Sequence, residues 1–513
     1  MNSTLIYAII FIDKSDMRKV VFMSIYLSKS KYCSAVQCPK MLWLKENKPD
    51  EFDSSVMNDA ILEKGNEVGD LAMGLFGDFT EVPYGNRTEM INLTKKLIDD
   101  NVPVITEASF SYDGLFCSVD ILKNLGNNQV EMYEVKSSTS IHDIYLDDVS
   151  YQCYVLKNLG FDVKKASLVH INRNYVRKGE LDLEKLFVIN DITDIAFSKQ
   201  DEIADNISYL ENYMSQTNEP DDDIGEHCFS PYDCGFFSYC TKHLPRPNVF
   251  DVAGANRSKK FDCYRKGIIS FDDLLTCDVF SGHQYKQIEH EVYGQPPFID
   301  EKDIREFMKC LSYPIYFLDF ESFQPVIPLF ENSRPYDQIV FQYSLHYIET
   351  EGGELHHKEF LAYPGCDPRR KLAERLCEDI PKDVCVTAYN MGFEKMCIKG
   401  LSELYPDLAE HLMNIHENIK DLMIPFRRKM YYDKAMEGSY SIKYVLPALF
   451  PDDPALDYHN LEGVHNGSEA SATFSEMAKM DKETLEEYRG YLLEYCGLDT
   501  YAMVKIWEKL KEI

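Results

Sequence analysis

The chain has 513 residues, of which 45% are hydrophobic and 27% are charged, a balance that is typical of globular proteins and excludes a disordered or collagen-like chain. The formal net charge of −31 excludes a protein that coats nucleic acid through a uniformly basic surface, although an acidic shell can surround a local basic channel. No apolar run reaches the roughly 18 residues that span a bilayer. Fifteen cysteines, an odd number in a long chain, favour reduced thiols in the cytoplasm over a secreted disulfide framework.

The first residues differ in character from the rest of the chain. Residues 5–12 (LIYAIIFI) are apolar, but no basic residue precedes them and no small-residue cleavage site follows, so they are not typical of a signal peptide. A more ordinary start follows at Met23. We therefore interpret residues 1–23 as an N-terminal extension.

Three further segments are predicted from changes of pattern along the chain. Residues 24–243 combine helical periodicity with a strand pair. Residues 244–312 contain Pro245, Pro247 and a basic cluster, and are predicted to be a helical connector. Residues 313–513 begin with a strongly apolar strand and continue in an α/β pattern.

The first group of candidate catalytic residues lies on a predicted hairpin. Residues 115–123 (LFCSVDILK) and 129–136 (QVEMYEVK) read as strands joined by the turn NLGNN. The two-residue period of a strand places Glu134 and Lys136 on one face, and Asp120 lies in the partner strand. Two carboxylates can hold a divalent cation, which acidifies a bound water, and the lysine can position or deprotonate that water or stabilise the transition state. The simpler alternative is an ordinary hairpin with exposed charges.

These residues resemble the motif of the PD-(D/E)XK nucleases. Gln152, on the next predicted helix, matches a glutamine that this family often carries, and the resemblance implies that it helps to orient the site. RecB-like members of the family often have a histidine in an upstream helix. Residues 64–69 (KGNEVG) have none, and Glu67 is either a substitute ligand or an exposed helical residue.

Four cysteines form a second pattern in the same segment: Cys38, Cys228, Cys234 and Cys240. Thiolates bind zinc or iron–sulfur clusters, and each needs about four ligands. The pattern resembles the staple of CRISPR-associated RecB-like exonucleases and AddB-type nucleases, which implies a [4Fe–4S] cluster that ties the ends of the domain together. Zinc is the alternative metal, and Cys33 and His227 are alternative ligands. Small buried hydrophobic residues are the metal-free alternative.

The second group of candidate residues starts at residues 313–321 (YPIYFLDFE), a predicted buried strand. Asp319 and Glu321 share one face of it, and acids at the end of so apolar a strand are costly unless they bind something. Residues 384–401 read as a strand running into a helix, on which Asn390 and Glu394 would share a face.

A predicted helix over residues 492–500 (LLEYCGLDT) completes this group, with Tyr495 and Asp499 four positions apart. The order D-x-E, N-x3-acid, Y-x3-D resembles the DEDD exonucleases of the DnaQ-like, RNase H-like class. The resemblance implies that Tyr495 orients the attacking water. It also implies that two Mg²⁺ or Mn²⁺ ions for phosphodiester hydrolysis are held by four carboxylates: Asp319, Glu321, Glu394 and Asp499. Glu394 stands where this class usually has aspartate, and Asp421 is a weaker candidate ligand.

Two stretches interleave basic and aromatic residues: 257–266 (RSKKFDCYRK) and 426–434 (FRRKMYYDK). Such a pattern suits a single strand, because the charges follow the backbone while the rings stack on bases. A solvated charged face is an equally good interpretation.

Residues 24–511 as a whole resemble an uncharacterised bacterial family that fuses a RecB-like nuclease to a DnaQ-like exonuclease. The predicted fold class is α/β, with an N-terminal PD-(D/E)XK restriction-endonuclease-like domain stapled by an iron–sulfur cluster and a C-terminal RNase H-like domain. The resemblance implies a cytoplasmic, metal-dependent nuclease that uses two active sites on DNA, with single-stranded ends favoured, in repair or in defence against foreign DNA.

Two other functions stay open at this point. One is an RNA-processing 3′–5′ exonuclease. The other is a nucleic-acid-binding component in which one or both centres are inactive, a reading motivated by the missing histidine and by Glu394. The sequence has no P-loop, so any helicase or other repair or defence factor would be a partner, and no membrane partner is expected.

Overall fold

The computed structural model describes residues 26–56 and 59–513. The N-terminal extension predicted over residues 1–23 therefore lies outside the described residues. Within the part of the chain that is described, no helix has the length and apolar character needed to cross a membrane. The protein is a mixed α/β protein with two large sheets, which agrees with the predicted α/β class.

The first sheet has seven strands in the order β2-β3-β4-β5-β6-β7, with β1 beside β4. Its strands are β1 (Leu27–Ser28), β2 (Thr80–Glu81), β3 (Val104–Tyr112), β4 (Leu115–Gly126), β5 (Gln129–Lys136), β6 (Asp162–Ile171) and β7 (Phe187–Asp191). The helices of this region are α1 (Lys29–Gln37), α2 (Pro39–Asn47), α3 (Asp59–Met73), α4 (Arg87–Asp99), α5 (Asp143–Asn158), α6 (Leu183–Leu186), α7 (Thr193–Ser198), α8 (Gln200–Met214) and α9 (Phe237–Thr241). β3, β4 and β5 run antiparallel, and α5 carries the chain across to β6, which is parallel to β5.

The predicted hairpin over residues 115–136 is confirmed as β4 and β5, but its turn is tighter than expected. The sequence indicated a turn over residues 124–128, whereas only Asn127 and Asn128 lie between the strands, with φ values of 52° and 60°. Asparagine tolerates this left-handed conformation, and a two-residue loop with positive φ at both positions matches the twist of a hairpin. β4 alternates buried and half-buried residues, which leaves Asp120 on the half-buried face.

The connector over residues 244–312 is mostly helical but also contains a short strand. Its elements are α10 (Arg257–Arg265), α11 (Phe271–Leu275), α12 (His283–Tyr293), β8 (Phe298–Ile299) and α13 (Glu301–Met308). Ser270 and Asp273 form a capping box that starts α11.

The second sheet has five strands in the order β11-β10-β9-β12-β13. The strands after the connector are β9 (Ile315–Phe323), β10 (Ile339–Ile348), β11 (Leu355–Leu361), β12 (Cys385–Ala388), β13 (Ile419–Asp421) and β14 (Tyr431–Tyr432). The helices are α14 (Arg369–Asp379), α15 (Gly392–Leu404), α16 (Ala409–Asn418), α17 (Ile424–Arg427), α18 (Ile442–Leu449), α19 (Gly467–Glu476) and α20 (Lys482–Lys511). β9, β10 and β11 are antiparallel, β12 and β13 run parallel to β9, and β14 pairs with β8 of the connector.

The strand, strand–helix and helix predicted for the second group of residues are confirmed as β9, β12 with α15, and α20. One detail is wrong, because α15 begins at Gly392 and Asn390 therefore precedes it. Asn390 has a φ of 69°, a left-handed conformation in which asparagine is enriched. Asn390 and Glu394 therefore do not share a helical face.

The connection between β9 and β10, residues 324–338, reaches the first sheet, and we call it the strap. Val326 and Ile327 are buried in an apolar cluster with residues of the first sheet such as Ile121 and Tyr133. The strap therefore joins the strand that carries Asp319 to the sheet that carries Asp120.

Candidate functional site

The N-terminal site forms where β4 and β5 separate. Their pairing ends at Ile121 and Tyr133. Just beyond that pair, the Asp120 carboxylate accepts a hydrogen bond of 2.7 Å from the backbone N–H of Val135. A carboxylate thus replaces a backbone carbonyl at the opening of the sheet, next to Glu134.

Lys29 also enters this opening, which the sequence did not indicate. β1 pairs with β4 through Leu27 and Ser28, so α1 begins with Lys29 at the gap. Its Nζ lies 2.9 Å and 3.1 Å from the two Glu134 oxygens and 3.6 Å from Asp120. No local motif could have marked this lysine, because β1 lies about ninety positions earlier in the chain than β4.

The predicted residues Glu134, Lys136 and Gln152 meet around a further carboxylate, Asp148. Lys136 Nζ lies 2.7 Å from Glu134 Oε1 and 2.7 Å from Asp148 Oδ2. Gln152 Nε2 donates to Glu134 at 2.7 Å and to Asp148 at 2.9 Å. Asp148 lies one helical turn before Gln152 on α5, and this i, i+4 spacing was the signal that could have found it.

Burial and like charges raise the pKa of Glu134 to about 7, with Asp120 and Asp148 as the neighbouring charges. Burial opposes the charge of Lys29, but the carboxylates around it outweigh that effect and raise its pKa. Burial also acts against ionised Asp148, yet Lys136 and Lys29 hold its pKa below the ordinary value. The ammonium groups of Lys29 and Lys136 thus offset the negative charge of the carboxylates. A divalent cation bound to Asp120 and Glu134 would displace Lys29.

Glu107 brings another carboxylate toward Asp120. It has a φ of 55° within β3, at a point where the pairing of β3 with β4 passes from Thr106 to Ala108. Burial and the Asp120 charge raise the pKa of Glu107 to about 7. A non-glycine residue in this conformation is costly, and Glu107 stands opposite Asp120, because Thr106 pairs with Ile121 and Ala108 with Val119. Glu67, the alternative ligand named above, is exposed on α3.

The four predicted cysteine ligands share one apolar cluster with Trp43 and Phe236: Cys38, Cys228, Cys234 and Cys240. Burial raises the pKa of Cys228 to about 12, and the other three cysteines lie close enough to add to the effect. Among the described residues, no three of these sulfurs lie within 4.8 Å of one another. Tetrahedral zinc at 2.3 Å would hold its sulfurs about 3.8 Å apart, so the quartet is wider than a zinc site.

The two alternative ligands are placed differently. Cys33 lies close enough to Lys136, Glu134 and Asp148 for their charges to act on it, which puts it beside the N-terminal carboxylate site. His227 is exposed next to Cys228.

The C-terminal site gathers carboxylates from β9, α15 and α20. Ligand atoms of Asp319, Glu321 and Cys496 all lie within 4.8 Å of one another. Asp499 accepts a hydrogen bond of 2.6 Å from the Tyr458 hydroxyl and a second one from Tyr495. Cys496 and Tyr458 were not predicted, although Cys496 directly follows the predicted Tyr495.

The four predicted carboxylates lie close to one another, with Glu321 and Glu394 buried and Asp319 and Asp499 half-buried. Burial and the charges of Asp499, Glu321 and Glu394 raise the pKa of Asp319 well above its ordinary value. Burial likewise raises the pKa values of Glu321 and Glu394 to about 8 and that of Asp499 to about 6. The exposed Lys443 partly offsets the charge of Glu321 and Asp499.

These residues fit a divalent cation. Glu394 Oε2 is buried and has no hydrogen-bond partner among the described residues, and crowded carboxylates repel one another unless protons or cations neutralise them. Oxygen ligands of this kind suit Mg²⁺ or Mn²⁺.

Asp421 supports the site rather than facing it. It is buried at the end of β13 and accepts backbone N–H bonds of 3.0 Å from Asn390 and from Met423. These bonds fix the turn that precedes α15, and the Asp421 charge raises the pKa of Glu394 after burial has done so. Its position explains why a conformationally unusual asparagine precedes Glu394.

Four of the five aromatic residues of the two basic stretches are buried, and Tyr264 is half-buried. Phe261, Phe426, Tyr431 and Tyr432 lie in the protein interior, so these four rings cannot stack on bases. The spacing of the buried aromatic residues reflects packing into the core, whereas Arg427 and Arg428 are exposed.

Comparisons with known proteins match parts of the chain. The family model described as a domain of unknown function (DUF2779) matches residues 316–441, a range that includes Asp319, Glu321 and Glu394 but ends before Asp499. An uncharacterised protein of Ureaplasma parvum is 26% identical over 218 residues, which are 40% of this chain and 30% of that protein. The chain thus spans less than a third of the length of this relative. No solved structure matches.

Proposed function

We propose that the protein is a metal-dependent nuclease that hydrolyses phosphodiester bonds of DNA, preferably at single-stranded ends, through two separate centres. The observation that carries the proposal is the C-terminal site, where four carboxylates lie close together at buried and half-buried positions: Asp319, Glu321, Glu394 and Asp499. Keeping such a cluster is unfavourable unless it binds cations.

At the C-terminal centre, bound divalent cations would acidify a water and neutralise phosphate charge. The residues of the chain prepare the site for this chemistry. The hydroxyls of Tyr458 and Tyr495 hold Asp499, whose charge acts on Asp319. Lys443 is exposed close to the cluster and can attract the phosphate backbone.

The order of the second sheet supports an RNase H-like fold for this part of the chain. Such a fold has three antiparallel strands followed by two strands parallel to the first, and β9 to β13 follow this pattern. The first sheet offers similar support for a PD-(D/E)XK fold, since the antiparallel β3–β5 are followed by α5 and the parallel β6.

The N-terminal centre would use Asp120 and Glu134 as cation ligands and Lys136 to position water, with Gln152 holding Glu134. The cysteine quartet, whose four members share one apolar cluster, would hold a [4Fe–4S] cluster. That cluster would join the beginning of the domain to its end. Repair or defence against foreign DNA is the context suggested by analogy.

A second candidate function is favoured by Lys29. Its ammonium contacts both Glu134 oxygens, which a divalent cation would need as ligands. In that case the N-terminal centre binds nucleic acid without cutting it, and the C-terminal centre alone is a nuclease.

The test is cleavage of single-stranded DNA labelled separately at each end, with Mg²⁺ or Mn²⁺ and anaerobically purified protein. Wild type, Lys136→Ala, Asp319→Ala and the double variant are compared, with matched RNA as a second substrate. We expect each single variant to remove one product pattern. Loss of all cleavage in Asp319→Ala alone supports the second candidate function, and a wild type that cuts neither DNA nor RNA contradicts both.

A further inference from the structure

Three tyrosines from separate parts of the chain lie beside the N-terminal site, and we call them the tyrosine trio. Tyr145 belongs to α5, and its ring centroid is 5.4 Å from Lys136 Nζ. Tyr232 lies between two cysteines of the quartet, with its hydroxyl within hydrogen-bonding reach of Tyr145. Tyr336 belongs to the strap and donates a hydrogen bond to the backbone oxygen of Ser137, the residue after Lys136. No sequence motif links these three positions.

The strap holds Tyr336 in place through polar bonds as well as apolar packing. The Arg177 guanidinium donates to the backbone oxygens of Pro328 at 2.8 Å and Leu329 at 3.1 Å. The Arg177 backbone is paired with Asn332 and Ser333 at 2.9 Å and 3.0 Å. A residue of the C-terminal part of the chain is thus fixed beside the N-terminal site.

The trio combines ring surface with access. Tyr232 is 58% exposed, while Tyr145 and Tyr336 are half-buried. All three side chains are therefore partly accessible to solvent and partly packed against the protein. Four of the five rings in the two basic stretches are buried. Aromatic rings next to cationic groups are the arrangement by which proteins bind single strands, because every base offers a face for stacking.

We propose that the tyrosine trio is a base-stacking subsite that receives the bases of a single strand next to Lys136. This inference rests on the proposed function and deepens it. The N-terminal site then draws on three parts of the chain: α5 supplies Tyr145, the loop between Cys228 and Cys234 supplies Tyr232, and the strap supplies Tyr336. The cysteine quartet and the strap would each influence how this site holds its substrate.

The test measures binding of a fluorescein-labelled 12-nucleotide single strand by fluorescence anisotropy, with Ca²⁺ in place of Mg²⁺. The same strand is also made with abasic sugars in place of its central nucleotides. We expect Tyr232→Ala to weaken binding of the intact strand about tenfold, and Tyr232→Phe to bind like the wild type. The abasic strand should bind more weakly to the wild type and show no further loss with Tyr232→Ala.

Matched variants make the result specific. Tyr84→Ala removes a tyrosine that is 96% exposed elsewhere and should change nothing. Tyr336→Phe keeps the ring and loses only the bond to Ser137, so it should bind within twofold of the wild type. Equal losses by Tyr232→Ala on the intact and abasic strands would overturn the stacking role.

Cleavage with Mg²⁺ is measured in parallel to separate the two proposals. Base-dependent binding without cleavage contradicts the nuclease and leaves the subsite standing. Cleavage together with unchanged binding in Tyr232→Ala contradicts the subsite and leaves the nuclease standing.

Discussion

Asp319 lies where three other carboxylates act on it, and its charge therefore opposes folding when no cation is bound. Replacing it with asparagine keeps the shape and removes the charge. We expect Asp319→Asn to raise the melting temperature in EDTA by about 2–4 °C, since it relieves repulsion between buried like charges. The same variant should lose Mg²⁺-dependent cleavage at this centre by at least about 100-fold.

Thermal unfolding in EDTA and cleavage in Mg²⁺ check the two halves of this prediction. Asp452→Asn, at an exposed aspartate, is the control and should change neither quantity. A lower melting temperature for Asp319→Asn in EDTA would mean that the carboxylate stabilises the fold, which argues against a cation site.

At the scale of single residues, the sequence could predict which side chains lie close together when the regular repeat of one strand or helix puts them on the same face. Glu134 with Lys136 and Asp319 with Glu321 follow from the two-residue period of a strand. Lys29 could not be found in this way, because it reaches Glu134 only through the pairing of β1 with β4. Tyr458 was missed for a similar reason, since its bond to Asp499 joins segments 41 positions apart.

At the scale of elements, the Arg177 side chain is one of the contacts that hold the strap against the first sheet. We expect Arg177→Ala to remove two hydrogen bonds to backbone carbonyls of the strap, which together contribute about 1.5–3 kcal/mol because one of them is exposed to solvent. The strap should then open more often and become a site of limited proteolysis within residues 324–338, while the folded cores stay resistant. Mass spectrometry of the first fragments checks the position of cleavage.

Arg173→Ala is the matched control for this experiment. Arg173 is exposed and lies four positions before Arg177 in the same loop. A strap that resists protease equally in Arg177→Ala and in the control would contradict the prediction.

The cysteine quartet links elements that are distant in sequence, since Cys38 precedes α2 while Cys234 precedes α9. We expect anaerobically purified protein to contain iron and sulfide, and Cys234→Ser to lose most of both. Because metal binding contributes folding free energy, this variant should also unfold at a lower temperature. Iron and sulfide analysis, with unfolding followed by circular dichroism, checks both effects.

Cys310→Ser, at an exposed cysteine of the connector, should keep the iron and the stability of the wild type. Iron content that is equally low in all three proteins would contradict a cluster, and stoichiometric zinc would favour the alternative metal.

The sequence predicted the main strands and helices that carry both sites, and it was weaker where the backbone takes unusual conformations. Asn390 illustrates the limit: its spacing to Glu394 suggested one helix, but Asp421 holds the backbone in a turn before α15. The strand β8 was missed because its partner, β14, lies more than a hundred residues later. Short strands that depend on distant partners leave little local pattern.

At the scale of the whole molecule, the buried carboxylates link stability to pH. Burial and like charges raise the pKa values of Glu134 and Glu107 to about 7 and those of Glu321 and Glu394 to about 8. Unfolded glutamates titrate near about 4.3, so between these values the folded state binds more protons than the unfolded state. The free energy of unfolding must therefore fall as pH rises through this range.

We expect urea unfolding in EDTA to show this loss between pH 5.5 and pH 7.5, by about 1–2 kcal/mol per pH unit. The net charge of −31 acts in the same direction through general repulsion, so the comparison is with Asp319→Asn/Glu321→Gln, which keeps almost all of that charge. The variant should lose part of the slope, and saturating Mg²⁺ should flatten the wild-type slope because cations replace the protons. Equal slopes in wild type and variant would mean that the C-terminal carboxylates are not the source, and a slope untouched by Mg²⁺ would remove the main support for a cation site there.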